Sequence, residues 1–162
     1  MAAIGLLACR LAVVEPGTNR ALDARLGQAL GIASAFLVLG ALAILISRTL
    51  QMNGGSWQRL VHDVPIVLAQ THYGAVWLWR LPALVVLWLA WVAGRHYPAR
   101  RWSPWLMLLA VAVIAMTRAD TGHAEDHGDL QPQVWVDWLH LMAGGAWVGS
   151  LLGMTLVVFP QL

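Results

Sequence analysis

The 162-residue sequence contains no lysine, so all ten of its basic residues are arginine. Acidic residues number only eight, and charged residues of both signs make up 11% of the chain. A soluble domain carries roughly 25% charge, so this is not an ordinary soluble domain. Basic runs are absent, which removes a nucleic-acid surface from consideration. Cysteine is limited to Cys9, which rules out an internal disulfide, a CxxC redox pair and a thiolate cluster. Phosphate-binding GxxxxGK[ST], HExxH, GxSxG and dinucleotide-loop patterns are all missing. With them goes the machinery of a hydrolase or nucleotide-driven pump, and the chain is expected not to be an enzyme.

Apolar residues supply 59% of the chain, and they arrive in long blocks. Ten tryptophans stand against two phenylalanines and two tyrosines. Tryptophan favours membrane interfaces, and a crossing needs roughly 20 apolar residues. The expected fold is all-α: a polytopic transmembrane helical bundle of about four to five helices with short loops, forming a single domain over 1–162. The segments read as 1–14 (short or truncated), 28–47, 75–94, 104–117 and 134–158. Residues 56–70 read as a short amphipathic helix at the surface, capped by Ser56, or as a plain connecting loop.

The loops alternate in charge. Loop 15–27 carries Arg20 and Arg25, and loop 95–103 carries Arg95, Arg100 and Arg101. Loops 49–74 and 118–133 are richer in acids and histidines. The positive-inside rule puts the arginine-rich loops in the cytoplasm. The amino end is then outside, the carboxyl end inside, and every histidine except His96 lies on or near the outer side.

Two stretches carry chemistry. In the last helix, Asp137 stands one turn before His140, and His140, Gly144 and Trp147 share a face. Ionisable groups inside an apolar helix are costly and mark a cavity or a partner. Gly145, Gly149 and Gly153 form a small-residue stripe that admits a neighbouring helix closely. After the fourth helix come Asp120, His123 and His127. The last two helices run antiparallel, which brings His123 towards His140. Imidazoles with a carboxylate or thioether suit a first-row transition metal, and Met116 and Met142 offer soft sulfur for Cu(I). The candidate metal set is His123, His140, His72, Asp120, Asp137 and Met142. The plainer reading makes the methionines packing residues, the loop histidines solvated groups and Arg80 a structural residue that snorkels or pairs with Asp120 or Asp137.

Asp137-Trp138-Leu139-His140-Leu141, followed by Gly145-Ala146-Trp147-Val148-Gly149-Ser150-Leu151, resembles the hallmark helix of the bacterial copper resistance D family, with its D-x-x-H and W-x-G-(G/S)-L steps. Thr121-Gly122-His123-Ala124 is similar to that family's T-G-H-A stretch. Residues 71–80 resemble its T-x-x-G-x-x-W-x-x-R segment. The resemblance implies a multi-pass protein of the bacterial inner membrane engaged in copper uptake, homeostasis or resistance, often beside a periplasmic copper-binding partner of the copper resistance C type. It carries His123 and His140 over as the copper site, with Asp137 and Trp147 in support. His72 falls at a variable position of its motif. Family members usually continue through several more helices, so this chain is expected to be a fragment or a reduced member that assembles with itself or another membrane subunit. A b-type haem electron carrier, ligated by histidines on separate helices, is the alternative. A non-catalytic subunit packed through the glycine stripe is another.

Overall fold

The computed structural model describes residues 2–12, 20–97, 102–122 and 131–159. Its elements are α1 (Ala2–Ala12), α2 (Arg20–Met52), α3 (Leu60–Gln70), α4 (His72–Leu78), α5 (Arg80–His96), α6 (Trp102–Asp120) and α7 (Pro132–Gly153). A 3-10 turn, Trp57–Arg59, precedes α3, and a π-helical turn, Met154–Val158, extends α7. Among the described residues there is no strand, as the all-α reading expects. Four segments are long and apolar enough to cross a membrane: Ala21–Met52, His72–His96, Trp102–Asp120 and Pro132–Leu156.

Helix α2 outruns its apolar block at both ends. Its polar flanks are built from Arg, Ala, Leu and Gln, good helix formers that let the helix continue. At 33 residues it spans about 50 Å, more than the hydrocarbon core of roughly 30 Å. It stops where Gly54 and Gly55 take φ of 70° and 84°, a left-handed exit that glycine allows at little cost. The Gly55 amide donates to the Leu50 carbonyl at 2.7 Å and closes the end.

The second crossing, His72–His96, is interrupted between α4 and α5. Pro82 lacks an amide hydrogen, and its ring would clash with the Leu78 carbonyl of a continuous helix. The chain turns there, at Trp79, between α4 and α5.

Helix α6 is central. Half of its most apolar stretch is buried, against 17% for α7, which lies at the edge. It packs on α5, α7 and α1, while α2 leans on α1, α3 and α5. The glycine stripe of α7 receives α1 of the same chain. A Cβ on Gly149 would sit 2.7 Å from the Ala2 carbonyl oxygen and 2.9 Å from the Gly5 Cα, and the Ser150 hydroxyl donates to the Gly5 carbonyl at 3.3 Å. Two glycines of the stripe, Gly149 and Gly153, thus pack on α1 of the same chain. The bundle alternates direction, so the ends of α2 and α6, the starts of α4 and α7, and all of α3 gather at one end, here the α3 end.

Tryptophan has two tasks. Trp57, Trp79 and Trp135 are exposed near the α3 end, and Trp102 and Trp105 near the other, as interfacial residues would be. The indoles of Trp77, Trp91 and Trp138 instead donate to carbonyls of neighbouring helices, those of Ala41, Gly27 and Ala112.

Candidate functional site

The segment Thr71 to Arg80 has a structural task at each of its marked positions. Thr71 caps α4, its hydroxyl accepting from the Gly74 amide at 2.9 Å, as an N-cap residue does. Gly74 presses on the backbone of α3, and an added Cβ would overlap the Val67 carbonyl oxygen. Trp77 reaches α2 through its indole. Arg80 turns into the bundle and is only 2% exposed.

Arg80 neither snorkels nor pairs with Asp120 or Asp137. Its Nε donates to the Thr117 hydroxyl at 2.8 Å. Its Nη2 donates to the Thr117 carbonyl at 2.8 Å and the Thr121 hydroxyl at 2.9 Å. Thr117 lies in the last turn of α6, where carbonyls lack intrahelical partners and the helix dipole presents its negative end. The guanidinium finds there the compensation a carboxylate would otherwise supply. Arg48 adds a donor from α2 to the Thr121 carbonyl at 3.3 Å and lies over the Tyr73 ring at 5.8 Å. Arg80 and Arg48 together therefore hold Thr121, the residue from which the chain leaves α6.

On α7, Asp137 and His140 line an open groove with Pro132, Gln133 and Val136. His140 is exposed, on the face that carries the 71%-exposed Trp147. Met142 lies on the opposite side and packs against the core. His72 is exposed at the first residue of α4, and Asp120 ends α6 half-buried. His123 and His127 lie outside the described residues. Among the described residues no three of His, Cys, Asp and Glu cluster closely enough to hold a metal.

A smaller polar cluster ties the end of α2 to α3. Asn53 donates to Asp63 at 3.0 Å, and Asp63 meets the His62 Nδ1 at 3.0 Å. The hydrogen bond from His62, then that from Asn53, holds the Asp63 carboxyl below its ordinary value. Asn53 also accepts from the Ser56 amide, and the Ser56 side chain makes no cap. Helix α3 is therefore fastened by Asn53 rather than by Ser56. The sequence reading passed over Asn53. It names Thr121 only within the T-G-H-A stretch and gives Thr117 no role, although hydroxyls four residues apart at the end of an apolar helix signal a shared face.

The family pattern described as "Copper resistance protein D-like, N-terminal domain" matches residues 1–131. The chain belongs to the copper resistance protein D family. A relative, "Copper resistance protein D" of Pseudomonas syringae pv. tomato, is 31% identical over 138 residues, which cover 80% of this chain and 43% of the relative. The chain thus spans less than half the length of that copper resistance protein. No solved structure is a significant match. Family membership and the four crossing-length helices make this a multi-pass membrane protein of a copper resistance family. The copper resistance D pattern contains both the Thr71–Arg80 segment and Thr121, whose junction lies at the α3 end. It ends just before α7, so Asp137 and His140 lie outside the matched range.

Proposed function

We propose that this chain handles copper in the bacterial inner membrane, without catalysing a reaction, taking the ion at the α3 end and passing it inward. The reading rests on the copper resistance family together with one observation: Arg80 and Arg48 grip Thr121. That grip anchors the start of the segment that carries His123. His123 and His140 are the proposed copper donors, with His72, Asp120 or Asp137 completing the set, while Met142 packs against the core away from His140. The arginine distribution favours a periplasmic α3 end and cytoplasmic loops at 15–27 and 95–103. A periplasmic copper carrier of the copper resistance C type fits as donor, and further membrane helices, from a second copy or another subunit, fit the exposed face of α7.

The test is elemental analysis of the detergent-purified protein after Cu(I) loading. The wild type should retain near-stoichiometric copper, and His123→Ala/His140→Ala should lose it. Equal copper in both would remove these histidines from the site. Imidazole binds metal only when neutral, so retention should fall as pH drops below about 6.5.

A further inference from the structure

A cavity of about 150 Å³ lies between α2 and α6. Its walls are apolar, with Phe36, Gly40 and Ile44 from α2, Ile114 from α6 and Ile4 from α1. Arg80 and Arg118 also line it, on the α3 side. The stretch from Phe36 to Ile44 is about 12 Å long at 1.5 Å per residue. Phe36 is 69% exposed, so the cavity is flanked by a residue that faces the surrounding membrane.

The charged end has hydrogen-bond acceptors but no counter-charge among the described residues. A guanidinium offers five N–H donors. Arg80 spends three of them, from Nε and Nη2, on Thr117 and Thr121. Beyond these acceptors the guanidinium of Arg80, a residue only 2% exposed, neighbours the Tyr73 hydroxyl. That contact is not a well-formed bond, since the buried Tyr73 hydroxyl has no partner in good hydrogen-bond geometry. Among the described residues none of Arg48, Arg80 and Arg118 forms an ion pair. Unneutralised charge at membrane depth is costly, and an anion lowers that cost.

We propose that this cavity binds an acidic phospholipid, its phosphate accepting hydrogen bonds from Arg80 Nη1 and Arg118 and part of one acyl chain lying along Phe36, Gly40 and Ile44. Charge complementarity selects the headgroup. The volume selects a single chain segment, since an apolar cavity of about 150 Å³ holds a molecule the size of benzene. The position selects a lipid over a soluble anion, because apolar residues that face the bilayer flank the cavity.

Native mass spectrometry and thermal unfolding of the delipidated full chain test this, with phosphatidylglycerol, phosphatidylcholine of matched chains, and inorganic phosphate as probes. Two variants separate the two halves of the site. Arg118→Gln removes a charge from an exposed residue. Gly40→Leu fills the cavity from a position where an added Cβ meets nothing within 4 Å, so it should fold. The wild type should bind phosphatidylglycerol at least tenfold more tightly than phosphatidylcholine, and phosphate should not substitute. Arg118→Gln should abolish the preference, and Gly40→Leu should weaken phosphatidylglycerol about tenfold. Equal binding of the two lipids, protection by phosphate alone, or an unaffected Gly40→Leu variant would overturn the proposal.

Discussion

A glycine and an arginine show how far single residues set this structure. Gly149 and Gly144 sit on the same helix, yet only Gly149 faces backbone, that of α1. Leucine at 149 must push α1 away, at a cost of about 1–3 kcal/mol for overpacking. Gly144→Ala enters open space and should leave stability nearly unchanged. Thermal unfolding in detergent compares the two, and equal midpoints would show that α1 does not depend on the stripe. At Arg80, Thr121→Val removes an acceptor from a buried cation. That change should destabilise by about 1–3 kcal/mol, whereas a midpoint equal to the wild type would mean that the hydroxyl contributes nothing.

At the scale of elements, α1 and α3 are the two pieces too short to cross, and each is fastened differently. Helix α1 is held by packing, with Leu7 and Ile4 buried and Cys9 lying 3.5 Å from where a Cβ on Gly153 would stand. Alkylation of Cys9 therefore reports release of α1. It should be slow in the wild type and fast in Gly149→Leu. Helix α3 is held by polar contacts through Asn53 and Asp63. The folded state lowers the Asp63 pKa, so this contact contributes above the unfolded carboxylate value of about 3.9. It fades as pH falls through that value towards the lower folded one. Hydrogen exchange at residues 53–63 should accelerate in that acid window, and Asp63→Asn should flatten the dependence.

For the whole molecule, the arrangement of crossings fixes which loops share a side. Ser56 and Tyr97 stand at opposite ends of the bundle. In a Cys9→Ser background, we expect Ser56→Cys to react with a membrane-impermeant maleimide added from the periplasm. Tyr97→Cys should react only after permeabilisation. The reverse pattern would invert the proposed orientation and move the α3 end to the cytoplasm.

Composition and block length by themselves determined the membrane-crossing all-α character, because burying apolar segments of about 20 residues in lipid needs no knowledge of neighbours. The one-turn spacing of Asp137 and His140 was also legible because it is local, whereas residues 56–70 stayed open between a short helix and a loop until the structure placed α3 at Leu60–Gln70. The ends of α2 were not, because helix continues through any polar flank that tolerates it until Gly54 and Gly55 supply the exit. The partner of the glycine stripe was decided only by tertiary structure. A stripe specifies close approach but not by whom, and here α1 fills it. The same holds for Arg80, whose surroundings come from residues 37 and 41 positions away in sequence. A buried guanidinium needs acceptors, and only the fold of α6 against α5 placed two threonines and a helix end where a carboxylate was expected.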